Sequence, residues 1–163
     1  MTATNTFLDL LSSDQELKYY ETLQEEASTT FREKGDWADP AALAKLPHAD
    51  SAIRETLREN PVLTRVVVRE VVHKGGIDLP DGHHVPQGGW LAAPVVGIHH
   101  DERFYPDPEK YEPFRFAKAA TETSSNGEMD DTQTEKATQN RKLQGLSTAS
   151  DSYLAFGYGR HSW

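Results

Sequence analysis

The sequence predicts a mainly α-helical fold with a small antiparallel β-sheet, an α+β arrangement of one domain within 163 residues. Three observations lead to this prediction. Apolar residues recur at helical spacing in the N-terminal part, a β-branched run follows them, and glycine and proline turn signals separate the extended segments that come next. A later segment has few large apolar residues, so the helices and the sheet are expected to supply the core.

The N-terminal part predicts three helices. Residues 13–16, Ser-Asp-Gln-Glu, match a capping box, and the apolar spacing after them predicts a helix from about 14 to 32. An Asp-Pro pair at 39–40 provides an N-cap and a first-turn proline, which predicts a short helix through Lys45. The third helix is predicted over 48–59, between two prolines.

The predicted third helix carries an apolar stripe and a charged pair. Ala49, Ile53 and Leu57 fall on one face. Glu55 and Arg58 lie beside each other, away from that stripe. A Glu and an Arg at this spacing are most often a solvated surface pair worth roughly a few tenths of a kcal/mol. The pair therefore indicates a functional arrangement only if other motifs accompany it.

The middle of the chain predicts β-structure. The β-branched run Val66–Val72 predicts a strand. Turn signals at 75–76 (Gly-Gly) and 80–82 (Pro-Asp-Gly) precede a second extended segment at 83–85, so we expect a small antiparallel sheet. The apolar run 90–96 is either a strand or a short buried segment, and periodicity alone does not decide between them.

The composition changes at residue 117. Residues 117–150 are dominated by small polar, amide and acidic residues, and we predict a disordered insertion because such a segment buries too little surface to offset its ordering entropy. The predicted organisation is therefore a helix-rich segment over 1–116, with a small sheet and an irregular meander, then this insertion, and then a separate loop over 151–163. The large apolar residues of the insertion are Met129, Leu143 and Leu146.

Composition argues against several classes of function. The net charge is −9, with 26 acidic and 17 basic residues, and the basic residues do not cluster, which argues against nucleic-acid binding. No cysteine is present, which excludes a disulfide scaffold, a thiol nucleophile and an iron–sulfur site. The N-terminus has no basic region and no apolar run long enough to span a bilayer, so we predict no membrane segment and a cytoplasmic location for this chain.

The seven histidines do not predict a metal site. His83 and His84 are adjacent, as are His99 and His100, and neighbouring residues on a strand point to opposite faces. No His-x-x-x-His pattern places two imidazoles on one helical face. We therefore assign no metal ligand.

The C-terminal residues 156–163, Phe-Gly-Tyr-Gly-Arg-His-Ser-Trp, carry the most specific motif. They match the pattern Phe-x-x-Gly-x-(Arg or His)-x-Cys up to its last position, where Trp163 stands in place of the cysteine. Upstream, Glu55 and Arg58 form a Glu-x-x-Arg pair. Together the two motifs resemble the cytochrome P450 family, the haem-thiolate monooxygenases, in which a cysteine thiolate binds the haem iron.

Other segments resemble the same family in order and spacing. Residues 111–116 resemble its Pro-x-Arg-Phe segment and supply a further arginine, and residues 46–53 resemble the lead-in to its Glu-x-x-Arg helix. Residues 98–101 followed by 105–108 resemble its His-x-Asp…Tyr-x-x-Pro stretch. Residues 147–151 look like those of fungal secondary-metabolism members. The resemblance covers the chain from the predicted first helix onward, apart from the insertion.

The resemblance implies a fold and a set of site residues. The implied fold is a partial, C-terminal portion of the cytochrome P450 fold, with residues 62–68 on the substrate side of the pocket. For Arg69, the alternative to a contact with haem is an exposed position on a strand. For His161, the alternative is a frayed position at the C-terminus. The buried charge network implied by the resemblance consists of Glu55, Arg58 and Arg115. The implied haem-contacting residues are Arg69 and His161 at the propionates and Phe156, Gly157 and Gly159 in the ligand loop.

The implied activity is that of a haem-dependent monooxygenase. Such an enzyme inserts one oxygen atom from O2 into a small lipophilic metabolite, takes electrons from a reductase, and in full-length relatives lies at the endoplasmic reticulum membrane. Because Trp163 occupies the ligand position and its indole N–H only donates, we expect a truncated site, no catalytic residue and no productive haem binding in this chain. The alternative is a non-catalytic remnant that binds no haem or has only an interaction role.

Overall fold

The computed structural model describes residues 2–13, 18–34, 39–117 and 148–159. Within these residues it contains five helices and four short strands, which confirms the predicted mainly α-helical class with antiparallel β-structure. The helices are α1 (Thr2–Ser13), α2 (Tyr19–Lys34), α3 (Pro40–Leu43), α4 (Pro47–Glu59) and α5 (Val95–His99). The strands are β1 (Arg65–Glu70), β2 (Ile77–Asp78), β3 (His84–Val85) and β4 (Trp90–Pro94).

The predicted first helix is wrong at its start. Ser13, predicted as the N-terminal cap, is the last residue of α1, and α2 begins only at Tyr19. The sequence prediction missed α1 altogether, because this short segment has no clear local start signal. In the structure α1 packs on α4, and tertiary packing of this kind supplies most of the stability of short helices.

The second and third predicted helices are confirmed as α3 and α4. The Asp39 carboxylate accepts a hydrogen bond from the Ala41 N–H at 2.9 Å, as an N-cap should. The N-terminus of α4 has no cap from its own sequence. Instead, the carboxylate of Glu26 on α2 accepts hydrogen bonds from the N–H groups of His48 at 2.9 Å and Ala49 at 3.0 Å. A carboxylate at this end satisfies free donors and complements the helix dipole, so it fixes α2 against α4.

The β-structure is two separate antiparallel pairs, β1 with β4 and β2 with β3, where a single small sheet was predicted. The ambiguous run 90–96 is a strand that becomes a helix, since β4 ends at Pro94 and α5 begins at Val95. The β1–β4 register shifts between Val66 and Arg69. Val67, inside this irregularity, has a φ of 54°, a left-handed conformation that strains a β-branched residue.

In the described part of the chain, the core includes two small clusters that share one segment. One cluster contains Leu57 of α4 with Tyr153 and Ala155. The other contains Val66 of β1, Val95 of α5 and Leu154. Residues 153–155 therefore pack between α4 and the β1–β4 pair, and this packing positions the residues that follow them.

Two further predictions concern the disordered insertion and the absence of a membrane segment. Residues 118–147, most of the predicted disordered insertion, lie outside the described residues, so that prediction and the division of the chain that depends on it stay predictions. Among the described helices, none combines the length and the apolar character needed to cross a bilayer.

Candidate functional site

A buried ion pair lies on α4. The side chains of Glu55 and Arg58 are completely shielded from solvent. The Arg58 Nε–H donates to Glu55 Oε2 at 2.9 Å and its Nη2–H donates to Glu55 Oε1 at 3.0 Å, which is the bidentate arrangement of a guanidinium on a carboxylate. The helical spacing brings the two side chains together, and both lie in the interior, unlike the solvated surface pair that the spacing alone most often gives.

Arg115 joins this pair from a distant part of the chain. Its Nε–H donates to Glu55 Oε1 at 3.1 Å, and the backbone N–H of Glu112 donates to the same oxygen at 3.0 Å. The rest of the guanidinium donates to the carbonyls of Pro106 at 2.6 Å and Lys110 at 2.9 Å. One carboxylate thus holds two arginines, and the structure places both guanidinium groups within hydrogen-bonding distance of it.

A histidine extends the network toward the C-terminal segment. His99 is completely buried at the end of α5. Its Nδ1–H donates to the Arg58 carbonyl at 3.1 Å, and its Nε2 accepts the N–H of Leu154 at 2.8 Å. Burial, together with the charge of Arg58, lowers the pKa of His99 to about 4, although its hydrogen bond to the Arg58 carbonyl acts in the opposite direction. The ring is therefore neutral at physiological pH, with the proton on Nδ1.

Aromatic residues surround the charges. The guanidinium of Arg54 lies 4.3 Å from the ring centroid of Phe116 and 5.0 Å from that of Tyr153. Burial raises the pKa of Tyr111 to about 12 and raises the pKa of Tyr153 further. Both phenols therefore stay protonated at neutral pH. Among the described residues, this region therefore holds its charged side chains in fixed positions between aromatic rings.

A cavity of about 310 Å³ lies beside this network. It opens between the segment that leads into β1 and the turn that follows Leu154. Its walls are apolar apart from Arg65, which is the kind of lining that binds lipophilic molecules. The lining residues are 62, 63 and 65–68 on one side and Ala155, Phe156 and Gly157 on the other.

The structure separates the predicted haem-contacting residues into groups. Phe156 and Gly157 line the cavity, whereas Gly159 does not. Arg69 is exposed, donates to the adjacent Val68 carbonyl at 2.8 Å, and is not part of the cavity wall. His161 lies outside the described residues, as does Trp163. Their roles toward a haem stay predictions.

Sequence reasoning missed two features of this site. It treated His99 as half of a possible metal pair, because nothing in the sequence shows that the ring is buried against Arg58. It also had no signal for the position of Arg54 between two rings, since the three residues come from distant segments. Within the described residues, no group of three or more His, Cys, Asp or Glu side chains could hold a metal ion.

Comparisons with known proteins give a consistent picture. The family model "Cytochrome P450" matches residues 1–162. The chain is 45% identical over 158 residues to cytochrome P450 monooxygenase nodZ of Hypoxylon pulicicidum, which covers 96% of this chain and 30% of that protein. It is 38% identical to cytochrome P450 monooxygenase polB of Polytolypa hystricis, covering 98% of this chain and 29% of that protein.

A solved structure shares the fold. A zebra fish cytochrome P450 with abiraterone superposes with a TM-score of 0.61 at 21% identity, over 98% of this chain and 30% of that one. The chain thus spans about 30% of the length of the curated relatives it matches.

Proposed function

Because the chain belongs to the cytochrome P450 family, we propose that it forms one wall of the haem and substrate site of a monooxygenase. The reaction inserts one oxygen atom from O2 into a small lipophilic metabolite, with electrons from a reductase. The fungal origin of the similar monooxygenases supports a role in secondary metabolism. By the same resemblance, full-length relatives act at the endoplasmic reticulum membrane.

The cavity between the start of β1 and the 154–157 turn is the observation that carries this proposal. Its lining is almost wholly apolar, which suits a lipophilic ligand or the face of a porphyrin. Its two walls are joined through the core, where Val66 of one wall packs with Leu154, the residue next to the other wall. A pocket that is held in this way is suited to orienting a rigid ligand.

The residues present fit the surroundings of a haem but not its axial ligand. The apolar wall suits the macrocycle, and two exposed arginines on β1, Arg65 and Arg69, carry the charge that the propionates require. When held by a thiolate, haem supplies the oxygen chemistry of this family. The 163 residues contain no cysteine, and the indole of Trp163 only donates, so these residues by themselves supply no thiolate.

A haem titration tests the proposal. The whole chain is titrated with haem, then reduced under carbon monoxide, beside the variants Trp163→Cys and Trp163→Phe. We expect no thiolate-type Soret band from the wild-type chain or from Trp163→Phe, and such a band from Trp163→Cys. A thiolate-type band from the wild-type chain without added thiol, or its absence from a folded Trp163→Cys protein at saturating haem, would contradict the proposal.

A matched pair of valines tests whether the cavity is the binding site. Val68 lines the cavity and is 44% exposed, whereas Val96 lies outside it and is 41% exposed. We expect Val68→Trp to fill the cavity and weaken haem binding at least about tenfold, and Val96→Trp to leave it unchanged. Equal affinities of the two variants would place the ligand elsewhere.

The absence of cysteine favours a second candidate, a non-catalytic remnant with only an interaction role. Sequencing the mature transcript across codon 163 separates the two candidates. A frame that continues into a cysteine codon supports the monooxygenase, and a stop codon at that point supports the remnant.

A further inference from the structure

His99 connects three segments that are distant in sequence. The residue ends α5, its Nδ1–H reaches the carbonyl of Arg58 on α4, and its Nε2 reaches the N–H of Leu154. The ring also stacks on Tyr153, with centroids 5.4 Å apart and an interplanar angle of 11°. No atom of the side chain is accessible to solvent. A polar ring buried in this way, with both nitrogens bonded, acts as a fixed connector between its partners.

We propose that His99 is a positioning residue that fixes the 154–157 turn against the buried charge network and thereby sets one wall of the 310 Å³ cavity. The role of that cavity as a haem or substrate site rests on the proposed function above. The positioning itself does not depend on any ligand.

Leu154 transmits this constraint to the cavity. His99 Nε2 accepts the Leu154 N–H. The Leu154 carbonyl accepts the Gly157 N–H at 3.0 Å, which closes the turn. Its side chain packs with Val66 and Val95. The residues inside the turn are those that line the cavity. Loss of the bond at Nε2 would therefore release the start of the turn, while its apolar packing remained.

A second pair of bonds fixes the ring itself. The Arg58 Nη1–H donates to the His99 carbonyl at 2.8 Å, while the His99 ring donates to the Arg58 carbonyl. These reciprocal bonds hold residue 99 against residue 58. They also require the ring proton to lie on Nδ1. Nε2 is then the ring nitrogen that can accept a hydrogen bond from the Leu154 amide. The imidazole thus carries two different functions on its two nitrogens.

Two amide substitutions separate these functions. In His99→Gln the side-chain carbonyl reaches the position of Nε2 and can accept the Leu154 N–H. In His99→Asn the shorter side chain places its NH2 near the position of Nδ1, so it can donate to the Arg58 carbonyl but cannot reach Leu154. Each variant removes one of the two hydrogen bonds, and both replace the imidazole ring by a smaller side-chain amide. The two variants therefore serve as controls for one another.

Hydrogen exchange of the Leu154 amide in the whole chain is the measurement. A buried hydrogen bond contributes about 1 kcal/mol, so we expect His99→Asn to lower the protection of this amide by about fivefold to tenfold relative to the amides of α4. His99→Gln should keep the protection within about twofold. Equal loss in both variants, or none in either, would overturn the proposal.

Two further readouts keep the test decisive. In the wild-type chain, a scalar coupling across the Leu154 N–H···Nε2 bond should be detectable by NMR, and its absence would overturn the proposal even if the variants fail to fold. Haem affinity should fall in His99→Asn and recover in His99→Gln. If no protein binds haem while the amide pattern holds, the proposed function fails and the positioning role stands.

Discussion

Two arginine–carboxylate pairs in this molecule have nearly the same geometry and very different surroundings. In the first, Arg58 Nε lies 2.9 Å from Glu55, and both side chains are 0% exposed. In the second, Arg103 Nε lies 2.9 Å from Asp101, and the side chains are 82% and 19% exposed. The hydrogen bonds from Arg103 lower the pKa of Asp101 to about 2, so that pair is also charged at neutral pH.

The difference lies in what else each carboxylate contacts. Asp101 accepts hydrogen bonds only from Arg103 among the described residues, two positions along the chain, and water can replace that partner. Glu55 accepts from Arg58, Arg115 and the Glu112 backbone, and water cannot reach it. A buried charge needs all of its partners, whereas an exposed one needs none of them. The buried pair therefore ties distant segments together, and the exposed pair shapes only a local turn.

Removing the buried arginine should have the largest effect. Arg58→Ala leaves Glu55 buried without its bidentate partner, and we expect a loss of roughly 3–5 kcal/mol in the free energy of unfolding. Such a loss is comparable to the whole stability of a small domain, so the variant is expected to unfold or to be insoluble. Chemical denaturation measures the change, with Arg103→Ala as the control. A similar loss in both variants would show that burial does not distinguish the two pairs.

The pH dependence of stability tests the neutral histidine in the network. Since burial lowers the pKa of His99 in the folded protein to about 4 from its ordinary value of 6.5, the unfolded chain binds the proton first as pH falls. Stability is therefore fully present above about pH 6.5 and is lost between there and about pH 4, by on the order of 3 kcal/mol. The charged and titratable groups around the ring are Arg58 and Glu55 on α4, the adjacent His100, and the stacked Tyr153.

The control for this titration is His99→Gln. The variant keeps the other groups but has no proton to bind, so its stability should vary less between pH 6.5 and 4 than that of the wild-type chain. Denaturation midpoints across this range give the difference. Parallel curves for the two proteins would mean that other groups account for the pH dependence.

Replacing Arg115, the second arginine bound to Glu55, by lysine should have an intermediate effect on stability. Arg115→Lys keeps the positive charge near Glu55 but cannot reproduce the planar set of bonds to Glu55, Pro106 and Lys110. We expect a loss of about 1–3 kcal/mol, because carbonyl acceptors are left without donors. Thermal or denaturant unfolding measures it, and Arg103→Lys is the exposed counterpart, for which little change is expected. A neutral Arg115→Lys would indicate that charge alone is sufficient.

The smallest effect should come from a carboxylate that is only partly buried. Burial first, and then the charge of Asp9, raise the pKa of Glu59, and its Oε2 is a buried atom without a hydrogen-bond partner. The ionised form is therefore destabilised in the folded protein at neutral pH, and the penalty is relieved as pH falls through the raised pKa. Glu59→Gln should gain less than about 1 kcal/mol at pH 7, after allowance for screening by water, and lose this advantage in acid. A gain that persists at low pH would point to a cause other than charge.

The sequence by itself determined several local elements and the family. The Asp39 cap, the position of α4 and the strand at β1 depend on signals within a few neighbouring residues. Helix spacing also placed Glu55 beside Arg58. The family motifs identified Arg115 as their partner, although it lies far along the chain.

Apart from the buried charge network that the family resemblance implies, only the tertiary structure decided which features are buried and what they contact. The helix α1 forms where α4 supplies a surface, and Glu26 caps α4 from another helix. His99 has the same local sequence signal as an exposed histidine, and it becomes a connector only because Arg58 and Leu154 close over its two nitrogens. Local signals act over one or two turns of chain, whereas desolvation depends on segments dozens of residues apart. For that reason an Arg–Glu pair read from sequence looks the same at the surface and in the core.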